Sequence, residues 1–180
     1  MSGTDEGPGP EREPAAATVT ATVTVRPAHR RDLPAMVDLV RALADYERSL
    51  DEVRLEEPQL AEALFGEAPR VFAHVAEIGD TVVGMAVWFV NYSTWTGRHG
   101  IYLEDLVVVP SARGGGAGRA LLTELARVAV ARGYPRVEWA VLDWNQPAIG
   151  FYRHLGALPQ DDWTVYRLAG SRLTDLAGDL

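Results

Sequence analysis

The chain has 180 residues, enough for one domain with a buried core, and its 47% hydrophobic and 23% charged residues are ordinary globular composition. Seventeen basic against 25 acidic residues leave a formal net charge of -8, the wrong sign for a general nucleic-acid binder, and no apolar run approaches the roughly 18 residues of a membrane span. Every basic residue is an arginine and cysteine is absent, which removes disulfides, thiolate metal sites, cysteine nucleophiles, lysine Schiff bases and the P-loop lysine.

Residues 1–17, rich in Pro, Gly, Glu and Ala, read as a disordered tail rather than a secretory signal, so the expected location is the cytoplasm. The alternating, β-branched run Thr18–Val25 predicts a strand. Asp32 is placed to cap a helix in which Leu33, Met36, Val37, Val40 and Leu43 recur at helical spacing. A short helix is expected over Pro58–Phe65, then a hairpin of Val71–Glu77 and Thr81–Tyr92 turning at Gly79-Asp80. Next come an apolar strand Ile101–Val109, a glycine turn and an amphipathic helix Gly118–Arg132 stopped by Gly133. Arg136–Leu142 reads as a strand, Gln146–His154 as a short helix, and Trp163–Leu168 as a last strand. The order predicts one α/β domain over residues 18–170, a single mixed, mostly antiparallel sheet flanked by helices, with a C-terminal tail from 171 to 180.

Three segments carry chemistry. The turn Arg113-Gly114-Gly115-Gly116-Ala117-Gly118-Arg119 joins a strand to a helix start, where backbone N–H groups and the helix dipole suit a diphosphate. A glycine cluster alone would read equally as a flexible connector. The strand Ile101–Val109 sets two adjacent acids, Glu104 and Asp105, in an otherwise apolar run; with one face buried, alternation lets only one of the two leave that face. Asn145 with Pro147 is good helix-entry chemistry, within the longer pattern Asn145-Gln146-Pro147-Ala148-Ile149-Gly150-Phe151-Tyr152-Arg153-His154-Leu155-Gly156-Ala157. The four histidines are dispersed without ligand-like spacing, so no metal site is expected.

Arg113, Gly116 and Gly118 fit the R-x-x-G-x-G/A signature of GNAT acetyltransferases, and the Asn145–Ala157 segment resembles that family's last cofactor segment. From about Val23 to Leu168 the chain resembles the spermidine/spermine (diamine) acetyltransferase branch, through Tyr46-Glu47, Trp95-Thr96-Gly97, Tyr102-Leu103-Glu104-Asp105 and Trp144-Asn145-Gln146-Pro147. The resemblance implies a sheet with splayed central strands, acetyl-CoA as co-substrate, and a homodimer. It also implies that Leu106, Val107 and Val108 bond the coenzyme through their backbone and that residues from Arg113 through Gly114, Gly115, Gly116, Ala117 and Gly118 to Arg119 cradle its diphosphate. Asn145, Ala148, Tyr152 and Arg153 would complete the coenzyme site, with Tyr152 as proton donor. Glu104 would be the water-linked base, with Asp105 as the alternative, and Tyr46, Glu47, Glu104, Asp105, Glu138, Trp139 and Asp161 would meet the acceptor. Gly115 and Arg119 depart from the family's usual residues, and the stretch from Ala157 to Trp163 is shorter than usual.

An alkylamine with a pKa near ~10.4 is about one part in a thousand neutral at physiological pH, so freeing the nucleophile costs about 4 kcal/mol and calls for a carboxylate acceptor. The expected partner is a small cationic amine, a polyamine or diamine first. A side-chain amine of an amino acid or an aminoglycoside-like amine is the alternative within enzymes. A non-catalytic acyl-CoA-binding regulator is the alternative outside them, disfavoured because a binder needs neither Glu104 nor Tyr152.

Overall fold

The computed structural model describes residues 22–178. The chain divides into two compact units, Met1–Trp139 and Ala140–Leu180. The first unit holds one five-stranded sheet in sequence order: β1 (Val23–Pro27), β2 (Val71–Ile78), β3 (Thr81–Ser93), β4 (Arg98–Val108) and β5 (Val137–Glu138). The first three pairings are antiparallel and β4–β5 is parallel, which makes the sheet mixed and mostly antiparallel, as expected. The beginning of the predicted first strand, Thr18 to Ala21, lies outside the described residues.

Two helices, α1 (Leu33–Tyr46) and α2 (Glu57–Phe65), cover one face. Met36 and Val37 of α1 and Leu60 and Leu64 of α2 pack on Ala73, Val75, Met85, Val87 and Val107 in a single buried cluster. Those sheet residues alternate along each strand, which is why the hydrophobic pattern has period two there and three-to-four in the helices. The other face carries α3 (Ala117–Ala131), whose Leu121 and Leu125 are fully buried and which packs across β1 to β4. Gly84 is a close-approach residue: a Cβ there would stand 2.8 Å from the Val107 carbonyl oxygen of the neighbouring strand.

Asp32 precedes α1 but does not cap it. Its carboxylate accepts from Arg26 Nη1 at 2.6 Å and Nη2 at 2.9 Å, and from the His29 backbone N–H at 2.7 Å. Only 4% of it is exposed, so the guanidinium outcompetes the helix end for those oxygens. Arg26 also donates to Glu77 from Nε at 3.0 Å and from Nη2. At its other end α1 stops in a motif with Arg48 N–H donating to the Asp45 carbonyl and Ser49 N–H to that of Ala44. Arg48 has φ 62, the left-handed region, and is the one such non-glycine among the described residues. That conformation costs a non-glycine residue roughly 1 kcal/mol.

The second unit contains α4 (Gln146–His154), matching the expected helix, and α5 (Ser171–Gly178), within the residues expected as a tail. The strand expected over Trp163–Leu168 does not form: no residue of it joins a ladder. An extended β-branched and aromatic segment becomes a strand only when an edge takes its backbone bonds, and no strand among the described residues of this unit offers one. For the same reason the strand expected over Arg136–Leu142 contracts to Val137–Glu138, the two residues that find partners on β4.

Candidate active site

The site begins with an irregularity in β4. Leu103 pairs with Trp88 and Asp105 with Val87, adjacent residues of β3 that face opposite sides of the sheet. In a regular strand Leu103 and Asp105 would share a face. Glu104 is the extra residue of a β-bulge, and it turns Asp105 to the side covered by α1. Simple alternation therefore does not describe this pair. Leu103 is buried, Glu104 exposed and Asp105 half-buried.

Glu47, the residue that closes α1, comes close enough to Asp105 to act on it. Burial first, and then the charges of Glu104 and Glu47, push the Asp105 carboxyl up to about 6. Burial likewise raises Glu47. A carboxylate that titrates near neutrality is suited to accept and release a proton. Among the described residues no group of three or more His, Cys, Asp and Glu is arranged to hold a metal ion.

Beyond the bulge the far edge of β4 is open. β5 pairs only with Ile101 and Tyr102, and no strand among the described residues lies along Leu103–Val108 on that side. Leu106, Val107 and Val108 thus lie where their backbone can meet an extended ligand. The chain then passes a short 3-10 turn, Pro110–Ala112, into the glycines. Gly114 and Gly116 have φ 78 and 89, and a Cβ at either would meet open space. Glycine is needed there for backbone conformation, which leaves a clear surface over the turn. Gly116 is the N-cap of α3, and no side chain caps that end, so the N–H groups of Ala117, Gly118 and Arg119 have no intrahelical partner. Arg119 is exposed. Arg113 Nε donates to the Val108 carbonyl at 3.2 Å, and its guanidinium lies 5.3 Å from the centre of the Tyr46 ring. A turn of this kind, with free N–H groups, a cation and an open strand edge beside it, fits a coenzyme bearing a diphosphate and an amide-containing arm.

Glu138 stands apart from the three acids. It is in register with Tyr102, and its Oε2 accepts from Arg136 Nε at 2.7 Å and Asn91 Nδ2 at 2.8 Å. Burial raises its carboxyl, but those two hydrogen bonds and the Arg136 charge outweigh it and hold it below the usual range. Its charge is already neutralised inside the protein, by partners that nothing in the sequence signalled. Trp139 follows it, half-buried.

In the second unit Asn145 caps α4, its Oδ1 accepting from the Ala148 N–H at 3.3 Å. Tyr152 is half-buried with its ring 5.4 Å from that of Phe151, Arg153 is exposed in the last turn, and Asp161 is exposed in a turn. The bulge, the α1 stop at Arg48 and the Arg113–Tyr46 contact are the site features that pattern reading missed; each depends on pairing between distant segments.

The fold thus sets a bulged acidic strand of an open mixed sheet directly before a glycine turn and a helix start. The chain matches the model of the Acetyltransferase (GNAT) family over residues 35–157. It is similar to thialysine N-epsilon-acetyltransferase of Bos taurus, 38% identical over 169 residues that cover 88% of this chain and 99% of that one. It is 31% identical to human spermidine/spermine N(1)-acetyltransferase-like protein 1 over 85% of this chain and 23% of that protein. Among solved structures, an integron cassette protein from the mobile metagenome of V. cholerae superposes with a TM-score of 0.72 at 28% identity, over 86% of this chain and 97% of that one. The chain belongs to the GNAT acetyltransferase family.

Proposed function

We propose that the protein transfers acetyl from acetyl-CoA to the terminal amine of a small cationic acceptor, with the carboxylates at the β4 bulge taking up the amine proton. The observation that carries this reading is the juxtaposition of Glu104, Asp105 and Glu47 at the bulge, immediately before an open strand edge and an uncapped helix start. When bound, the coenzyme supplies an activated acetyl thioester. Leu106 to Val108 would hold its arm, and the turn from Arg113 to Arg119 its diphosphate. Glu104, exposed at the bulge, accepts the amine proton through water; Asp105 beside it, pushed up to about 6 by burial and by the charges of Glu104 and Glu47, is the alternative acceptor. Glu47 adds a third negative charge that draws a cationic acceptor in. Glu138, bound to Arg136, contributes less to that attraction than a free carboxylate would.

The roles that the resemblance implies for Asn145, Ala148, Tyr152, Arg153 and Asp161 belong to the same proposal. Tyr152→Phe is expected to lower kcat by about 10²-fold while acetyl-CoA still binds.

Two acceptors suit three clustered acids: a diamine, and an amino acid bearing a side-chain amine. The second is favoured by the relative that acts on thialysine and matches nearly end to end. The experiment compares kcat/KM for thialysine, a diamine of equal length and the matching monoamine. A second cationic group is worth on the order of 1 kcal/mol in such a partly exposed site, or several-fold in kcat/KM. Thialysine and the diamine should therefore both exceed the monoamine, with the margin shrinking at 1 M salt. A monoamine used as well as either, at both salt concentrations, would leave the acid cluster without a part in acceptor choice.

A further inference from the structure

We propose that Arg113 is a positioning residue that couples the two halves of the site: coenzyme at the glycine turn fixes the Arg113 guanidinium, the guanidinium fixes Tyr46, and Tyr46 fixes the end of α1 that presents Glu47. The inference rests on the reading that the coenzyme binds at this turn.

The geometry is as follows. The Arg113 guanidinium stands over the Tyr46 ring at 5.3 Å, a cation–π contact, while Nε is tied to the Val108 carbonyl at 3.2 Å. One of its five N–H donors is thereby used, and the remaining four have no hydrogen-bond partner among the described residues. Arg113 directly precedes Gly114 in the turn, where a Cβ would meet open space, and a planar fork of donors is the arrangement that suits phosphate oxygens. A single residue of the turn therefore reaches both strand β4 and the last residue of α1. Glu47 follows Tyr46 directly.

The α1 end is also a place where a small restraint has effect. It closes on Arg48 in the left-handed conformation, a stop that a glycine would adopt without strain. Its last bonds, Glu47 N–H to the Leu43 carbonyl at 2.9 Å and Ser49 N–H to that of Ala44 at 2.8 Å, hold Glu47 against a strained turn. Helix ends of this kind open locally before the rest of the fold does. A ligand that immobilises Arg113 thus lowers the freedom of Glu47, and by reciprocity an acceptor held by Glu47 favours coenzyme binding.

The test is amide hydrogen exchange of residues 47–49, with and without saturating coenzyme A, with calorimetry of coenzyme A on the same samples. In the wild-type chain, coenzyme A should slow these amides about tenfold. Tyr46→Leu should still bind coenzyme A and lose that slowing. Arg113→Met should lose it too, at coenzyme A concentrations that restore saturation. A purely structural contact would change exchange in the ligand-free chain while leaving the ligand-induced difference intact. Coenzyme A binding without slower exchange in the wild type, or full slowing in Tyr46→Leu, overturns the coupling and leaves the proposed function standing. Failure of the wild-type chain to bind coenzyme A at all overturns both.

Discussion

At the scale of single residues, two groups shifted chiefly by desolvation give opposite pH dependences. Asp105 holds its proton up to about 6, against an ordinary value of 3.8, so folding favours its protonated form. The stabilisation is complete below 3.8 and is lost as the pH rises through 6, a change of ~3 kcal/mol at about 1.36 kcal/mol per pH unit. Asp105→Asn should therefore raise Tm at pH 7.5, and by much less at pH 4, in thermal melts. An unchanged Tm at pH 7.5 would mean that Asp105 is not held in a desolvated place. In turnover, the acidic limb of kcat/KM should lie near 6. Removing the adjacent charge in Glu104→Gln should move that limb to lower pH, because one of the charges raising Asp105 is gone. His74 behaves in the reverse sense. It is 6% exposed and its Nδ1 accepts from Trp88 Nε1 at 3.2 Å, which requires the neutral ring. Burial, with Arg132 adding to it and Glu124 opposing, lowers its pKa below 6.5. Its contribution is present above 6.5 and lost as the pH falls through the lowered value. His74→Gln keeps an acceptor without the titration, so its stability below pH 6.5 should fall less steeply than that of the wild type.

At the scale of elements, the strongest internal tie is the one that joins β1, β2 and the start of α1. Arg26 serves both Asp32 and Glu77, and all three are largely buried. Arg26→Leu leaves two carboxylates without their cation and should cost about 3 kcal/mol in urea unfolding; Arg26→Leu combined with Asp32→Asn should recover part of that loss. Segments whose signals are local were legible in the sequence. The hairpin of β2 and β3 has its Gly79 at φ 59 where the turn was expected, and α4 begins and ends as its Asn, Pro and Gly predict. Asp32 looked like a helix cap because its spacing from Leu33 is local information, whereas its true partner, Glu77's companion Arg26, is fixed by sheet pairing. The Trp163–Leu168 run had strand composition but lacked an edge in its unit, and composition does not encode the presence of a partner. The identities of Glu104 and Asp105 were readable as an anomaly in an apolar strand. Their placement was not, because a one-residue bulge is a property of two strands together.

At the scale of the whole molecule, a net charge of -8 and three acids gathered at one bulge give a field that favours a cationic acceptor, while the uncapped α3 start and Arg113 supply the local positive potential that a diphosphate needs. Glu104 and Asp105 lie on the strand that runs into the glycine turn and α3, so under the proposed function one strand–turn–helix would set an anionic coenzyme beside a cationic amine. The same arrangement separates an enzyme from a coenzyme-binding regulator, since only the enzyme needs proton acceptors at the bulge. The direct measurement is release of coenzyme A thiol from acetyl-CoA with thialysine as acceptor, with the acetylated amine identified by mass spectrometry, for the wild-type chain and for Glu104→Gln/Asp105→Asn. The wild-type chain should release one thiol per acetylated amine, and the double variant should bind acetyl-CoA normally yet turn over at least about 10²-fold more slowly. Equal turnover in the two proteins, or tight acetyl-CoA binding by the wild type with no acetylated product from thialysine, a diamine or a monoamine, would contradict the account.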